Sequence, residues 1–272
     1  MPTMQIARRV IRAKRDGALL AWIGIVLFAL PLAGTAVAAD GASLSVPGQS
    51  LSLAQVVDNL VRKNAERSRN LLHSDAKRIY HLSYRGFPGD RDAEMTVEAS
   101  YDSPSTKEFK IISQSGSKII LERVFKKLLE GEQEASQPEI RTRTQLNREN
   151  YDFFLTGYDA EANQYVLQVD PKSRSKYVYR GKIWVDGNDF AVTRIEAEPA
   201  QNPSFWTKKS EIHHEYAKVQ NTWLPVRNES VSYIRLGGRA TLTIEYSDYH
   251  LTEARQASAG ESGPALDSAS AR

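Results

Sequence analysis

The chain has 272 residues, of which 25% are charged, and it contains no cysteine. This length allows one large domain or two modest ones. Without cysteine the chain can form no disulfide, it has no thiolate nucleophile, and it cannot be lipidated on a cysteine side chain. The formal net charge is +3, and its meaning depends on where the basic residues lie.

Residues 1–39 have the pattern of a secretory signal peptide. A basic stretch ending at Arg15 precedes an uncharged apolar run from Gly17 to Leu30, and small residues up to Ala39 offer an A-x-A cleavage site. Residues 17–39 are also long enough for an uncleaved inner-membrane anchor, and both interpretations predict export to the periplasm. Without residues 1–39 the chain holds 31 Lys+Arg against 32 Asp+Glu. The basic character therefore belongs to the export signal and does not predict nucleic-acid binding.

An N-terminal helix is predicted next in the chain. Residues 40–51 are small and polar and predict a flexible lead-in. Ser52 and Gln55 have the spacing of a capping box. Apolar residues then recur at helical spacing through Leu60 and Val61, which predicts a helix over about 53–72.

From Lys77 the apolar period changes to two, which indicates strands. Tyr80, Leu82 and Tyr84 share one face of the first strand, while Val97 and Phe109 lie on the apolar faces of the second and third. Short turns join the three strands, so we expect an antiparallel meander.

An amphipathic helix is predicted to interrupt this meander. The stretch SKIILERVFKKLLE, residues 117–130, has an apolar face that includes Phe125, Leu128 and Leu129. It either packs permanently on the sheet or acts as a lid that can lift. Residues 131–150 are polar and predict a long loop.

The remaining strands complete the predicted fold. Alternating segments continue to about residue 251, with a hairpin signal at Gly237 and Gly238, and residues 253–272 predict a disordered tail. About ten strands predict an α+β, mainly antiparallel β fold: a curled sheet or incomplete β-barrel covered by amphipathic helices, as one domain over 52–252. The alternative is a flat sheet packed on two helices with no cavity.

The stretch SEIHHEY, residues 210–216, is the most suggestive of metal chemistry. On a strand His213 and His214 point to opposite faces, and His213 with Glu215 would supply two ligands where zinc needs three or four. Beyond residue 39 the chain has no G-x-S-x-G motif and no phosphate-binding glycine loop. We therefore predict no enzyme, no cofactor and no metal, and a metal-dependent hydrolase using His213 and Glu215 is an outside alternative.

Aromatic residues mark two turns near the predicted end of the sheet. Phe205 and Trp206 lie in NPSFWTKK, and Trp223 follows the turn at Asn221. They either close one end of the core or form a rim that contacts a lipid or a partner.

Residues 179–251 resemble bacterial exported proteins of the outer-membrane lipoprotein-sorting group, which includes LolA, LolB and RseB. The resemblance rests on the hairpin Asp186–Ile195, NPSFWTKK, Trp223-Leu224-Pro225 and Thr243-Ile244-Glu245-Tyr246, and residues 77–178 match only by their pattern of elements. It implies an incomplete barrel with helical lids and an apolar cavity for acyl chains.

The first hypothesis is therefore a periplasmic carrier for lipid or lipoprotein acyl chains, working with an inner- or outer-membrane lipoprotein-handling protein. The second is an envelope-stress sensor or interaction protein of the RseB type with the same fold. The residues predicted to line the ligand site are Val97, Phe109, Phe125, Leu128, Leu129, Leu167 and Ile183.

Overall fold

The structure is a computed structural model that describes residues 51–235 and 237–254. The predicted signal peptide, nearly all of the lead-in and the tail beyond residue 254 lie outside the described residues. Within them, ten strands form one antiparallel sheet in the order β3-β2-β1-β10-β9-β8-β7-β6-β5-β4. The strands are β1 Leu71–Gly86, β2 Arg91–Asp102, β3 Thr106–Gly116, β4 Tyr151–Asp159, β5 Gln164–Pro171, β6 Tyr179–Asp186, β7 Val192–Pro199, β8 Thr207–Val219, β9 Thr222–Ile234 and β10 Gly238–Glu253. The edge strands β3 and β4 do not pair with each other, so the sheet is not closed, and the predicted fold class is confirmed.

Helix α1 spans Leu53–Asn70 and begins at the predicted capping box. The Gln55 backbone N–H donates to the Ser52 hydroxyl, and the Ser52 backbone N–H donates to the Gln55 side chain. These bonds satisfy two backbone donors that a helix N-terminus otherwise leaves without partners. The buried face of α1 includes Val56, Val57 and Leu60, so helical spacing predicted its orientation correctly.

The second helical region is longer than predicted. It runs through α2 Lys118–Ile120, a π-helical stretch Leu121–Phe125 and α3 Lys126–Ala135, which together form the cover helix, residues 118–135. Helix α4 follows at Pro138–Thr144. The prediction of one long loop over 131–150 was wrong, because polar residues also form the exposed faces of short helices.

The cover helix is part of the chain segment that connects β3 to β4, the two edge strands of the sheet. The chain leaves the sheet at β3 and re-enters it at β4, on the opposite edge. The last strand, β10, then pairs with β1 in the interior of the sheet. One face of the sheet is therefore crossed by residues 117–150, and we call it the covered face.

Two separate hydrophobic clusters lie on the covered face. The first joins α1 to β4–β7 and includes Leu60, Leu167 and Ile183. The second joins the cover helix to β1, β2 and β10 and includes Tyr80 and Phe125. Among the residues that the structure describes, no helix has the length and apolar character needed to cross a membrane.

Candidate functional site

A cavity of about 160 Å³ lies on the covered face and is lined by members of the first cluster and by Tyr246, which packs against the second. Its walls come from α1, the cover helix, the α4 region and strands on both halves of the sheet. Seven of the lining residues are aromatic: Tyr101, Tyr177, Tyr179, Tyr216, Trp223, Tyr246 and Tyr249. Tyrosine combines a large apolar ring with one polar group, so the cavity is suited to an apolar ligand with polar anchoring points.

A β-bulge in β10 brings two of these tyrosines to the same side. Asp75 pairs with His250 and Lys77 pairs with Ser247, so β10 has one extra residue at this point. Asp248, within the bulge, has a φ of 52°. Tyr246 and Tyr249 would face opposite sides of a regular strand, and the extra residue lets both line the cavity.

Three charged side chains form an ion-paired cluster in the cavity wall. Arg78 Nη1 donates to both carboxylate oxygens of Glu132 at 2.9 Å, and Lys107 Nζ donates to Glu132 Oε1 at 3.0 Å. The side chains of Arg78 and Lys107 are 14% exposed and that of Glu132 is 5% exposed. Because Arg78 lies on β1, Lys107 on β3 and Glu132 on α3, this charged triad ties the cover helix to the sheet.

The triad fixes the ionisation state of its carboxylate. Burial alone would raise the pKa of Glu132, but the positive charges of Arg78 and Lys107 and their hydrogen bonds outweigh it and lower that pKa to about 2. Burial opposes the charged form of Arg78 as well, yet the Glu132 carboxylate holds the pKa of Arg78 well above its usual range. Glu132 and Arg78 are therefore both charged near neutral pH.

Aromatic rings flank the Arg78 guanidinium. Its Cζ lies 5.5 Å from the ring centre of Phe109 and 5.1 Å from that of Tyr246. Such contacts partly compensate a buried cation. Burial raises the pKa of the neighbouring Tyr80 to about 12, so its hydroxyl stays neutral.

A second polar cluster lies where α1 meets the wall of the cavity. Arg67 donates to the backbone oxygens of Asp189 and Phe190, both at 2.9 Å. The Asp189 carboxylate accepts from Trp223 Nε1 at 2.8 Å and from Lys218 Nζ at 2.7 Å. These bonds connect α1 to the turn before β7 and orient the Trp223 ring, which lines the cavity.

None of the seven residues predicted to line a ligand site is among those that line this cavity. Val97, Phe125, Leu128 and Leu129 are buried in the second cluster, with Phe109 packed against it. Leu167 and Ile183 are fully buried in the first cluster. The most apolar positions pack against each other, whereas the cavity is surrounded by larger amphipathic side chains.

The three predicted rim residues have different surroundings. Trp223 is half-buried and lines the cavity. Phe205 is 75% exposed, its ring makes an edge-on contact with Trp206, and Arg235 lies 5.2 Å from the Phe205 ring centre. Neither Phe205 nor Trp206 lines the cavity, so Trp223 alone of the three contributes to its wall.

The two adjacent histidines lie on β8 and face opposite sides, as predicted. His213 is exposed and His214 is 2% exposed. Burial, with a smaller contribution from the charge of His213, lowers the pKa of His214 to about 3, which keeps this histidine neutral. Within residues 51–235 and 237–254, no group of three or more His, Cys, Asp or Glu side chains is arranged to hold a metal ion.

The charged triad was missed in the sequence, although a signal for it exists. The two-residue period that places Tyr80, Leu82 and Tyr84 on one face places Arg78 on the same face. Glu132 follows Leu128 and Leu129 at helical spacing and so continues the apolar side of the cover helix. An ionisable residue on each of two apolar faces indicates a buried ion pair.

Comparison with solved structures finds similar folds at low sequence identity. A DUF1329 family protein from Desulfovibrio piger has a TM-score of 0.39 and 12% identity, with 73% of this chain and 92% of that chain covered. A putative outer membrane lipoprotein-sorting protein domain from Vibrio parahaemolyticus has a TM-score of 0.36 and 10% identity, with 77% and 95% covered. A LolA superfamily protein from Nitrosomonas europaea has a TM-score of 0.32 and 10% identity, with 76% and 96% covered.

The solved structures to which the chain is similar include proteins of the group that residues 179–251 resemble. No family model matches the chain, and no curated protein matches it in sequence.

Proposed function

We propose that this chain is an exported binding protein that carries an acyl chain of a lipid or lipoprotein in the cavity of its covered face. The observation that carries the proposal is the cavity itself, about 160 Å³ in volume and lined largely by aromatic and aliphatic side chains. Ligand pockets are typically concave, mostly apolar and furnished with a few polar groups. Periplasmic location belongs to the same proposal and is supported by the export pattern of residues 1–39. A role in outer-membrane sorting is also part of the proposal and is supported by the resemblance of residues 179–251 to the lipoprotein-sorting group.

The cavity must enlarge to hold a complete acyl chain. A cavity of about 150 Å³ in another protein is large enough for benzene, so the present volume accepts only a short segment of a chain. The cover helix is the element to move, since the sheet is continuous beneath it. Its π-helical stretch Leu121–Phe125 is a local irregularity of the kind often found at functional sites.

The expected driving force is burial of apolar area. An acyl chain that buries about 300 Å² would gain roughly 7 kcal/mol at about 25 cal/mol per Å², before the costs of association and of moving the helix. That magnitude suits reversible loading and release, as a carrier requires.

The first test is native mass spectrometry of the exported protein, followed by organic extraction and lipid analysis. One acyl lipid per chain is the expected result. A protein that is empty and fails to bind the neutral probe N-phenyl-1-naphthylamine would overturn the proposal.

A variant that fills the cavity tests where the ligand binds, and a variant with the same ring on the exposed side of the strand is its matched control. Ala99 lies on β2 and lines the cavity, so Ala99→Phe should lower probe affinity at least about tenfold by occupying ligand space. Glu94→Phe adds the same ring on the exposed side of β2 and should leave affinity unchanged. Equal affinity in both variants would place the ligand elsewhere.

A second candidate function, a sensor or interaction protein, is favoured by the two sheet edges. Ile111 and Ile112 on β3 are 48% and 49% exposed, and Phe154 on β4 is 53% exposed. Exposed apolar residues on edge strands can pair with an added strand. Crosslinking in the exported compartment that recovers one stoichiometric protein partner, with no bound lipid, would support this function over the carrier.

A further inference from the structure

The charged triad holds more positive than negative charge. Arg78 and Lys107 face a single carboxylate, Glu132, so the triad carries one excess positive charge in a buried site. Among the described residues no second carboxylate forms an ion pair with either cation. A buried charge without a counter-ion is costly, and the rings of Phe109 and Tyr246 compensate it only in part.

Arg78 also has donor capacity that Glu132 does not use. Its hydrogen bonds to Glu132 come from Nη1. Its Nε and the neighbouring Tyr80 hydroxyl are both buried, and within the described part of the chain neither makes a hydrogen bond of normal geometry. The two groups lie close enough to interact with each other, so an incoming anion would take the place of a weak contact with Tyr80. The Nε edge of a guanidinium is a planar fork that binds carboxylate or phosphate through two parallel bonds.

Both features lie in the wall of the apolar cavity, which Arg78, Lys107 and Glu132 all line. We propose that the cavity selects amphiphiles with a single anionic group, a carboxylate or a phosphate ester. The acid group would bind the Nε edge of Arg78 beside Lys107, and the alkyl chain would lie against the tyrosines. This inference rests on the proposed function, since it names the class of ligand that the same cavity takes. Bound in this way, the anion neutralises the excess charge of the triad.

The test compares three C12 ligands that differ only in the head group, together with inorganic phosphate. Dodecanoate, dodecanol and dodecyltrimethylammonium compete at pH 8 with N-phenyl-1-naphthylamine bound to the full exported protein. Dodecanoate should bind about tenfold or more tightly than dodecanol, because charge-assisted bidentate hydrogen bonds are strong in a buried site. The cationic ligand should bind most weakly.

Two variants should change the dodecanoate-to-dodecanol affinity ratio in opposite directions. Arg78→Gln removes the fork and should bring the ratio close to one. Glu132→Gln removes a repelling carboxylate and should raise the ratio, even where loosening of the cover helix changes both affinities. Lys110→Gln, which removes an exposed charge from the same strand as Lys107, is the control and should leave the ratio unchanged. Opposite changes in the two buried variants cannot arise from a loss of stability alone.

Equal affinities for dodecanoate and dodecanol would overturn this inference while leaving the acyl-chain proposal in place. Displacement of the probe by phosphate as effectively as by dodecanoate would also overturn it, because the site would then bind free anions. A change of the ratio in the same direction for Arg78→Gln and Glu132→Gln would do so as well. If the probe and all three ligands fail to bind, both proposals fail together.

Discussion

Replacing Glu132 with glutamine should destabilise the protein by about 3 to 5 kcal/mol. The change leaves Arg78 and Lys107 without a carboxylate in a site where their side chains are 14% exposed, and removing one partner of a buried ion pair costs about this much. The lowered pKa of Glu132 predicts a loss of stability of similar size. A decrease from 4.5 to about 2 corresponds to about 3 kcal/mol of stability at neutral pH, at about 1.4 kcal/mol per pKa unit.

The pH dependence separates this charge effect from a simple packing defect. A carboxylate with a lowered pKa stabilises the folded state above its unfolded value of 4.5, and this contribution disappears as pH falls toward about 2. About 2 kcal/mol of it should be lost between pH 7 and pH 3. Urea unfolding followed by circular dichroism at both pH values measures the difference between the wild type and Glu132→Gln.

Glu98, which forms an exposed ion pair with Lys110, provides the control for the buried carboxylate. These side chains are 57% and 74% exposed, so Glu98→Gln should change stability by less than about 1 kcal/mol. The reasoning is refuted if Glu132→Gln behaves like this control, or if its effect is the same at pH 7 and pH 3.

Three further changes test the core, the first helix and the buried histidine. Leu128→Ala should cost about 2 to 5 kcal/mol in thermal or urea unfolding, because Leu128 is 4% exposed within the second cluster, whereas Lys126→Ala, at an exposed position on the same helix, should cost much less. Ser52→Ala should cost about 1 kcal/mol through loss of the α1 cap, and no loss would show that the capping box is dispensable. The pKa of His214, lowered to about 3 by burial, predicts that stability falls as pH decreases from about 6.5 toward 3. His214→Gln should reduce that dependence in acid unfolding curves, and an unchanged curve would contradict the burial argument.

Local patterns in the sequence predicted most of the fold. Ser52 and Gln55 marked the start of α1 because a capping box depends on residues only three apart. Two-residue alternation located the strands, since a strand with one buried face must repeat with that period. The cover helix was located from the spacing of Phe125, Leu128 and Leu129, although its C-terminal part and α4 were missed.

The cavity could not be predicted in the same way, because its wall depends on relations between distant parts of the chain. Tyr246 and Tyr249 share a side only because of the bulge at Asp248. Arg78 and Glu132 meet only because the connection from β3 to β4 crosses the covered face. Apolarity alone favoured Leu167 and Ile183 as lining residues, but the most apolar positions also pack best against each other.

The pairing of β1 with β10 has a consequence for how the protein folds. The two strands are in contact along most of their length, from Leu71 opposite Glu253 to Gly86 opposite Gly238, although almost the whole described sequence separates them. Until β10 is available, the sheet exists as two unconnected pieces, β1–β3 and β4–β9. Contacts between such distant segments slow folding, because the long intervening chain must be ordered first. A chain truncated before β10 would thus lose the junction between its halves, whereas loss of β3 would remove only an edge strand.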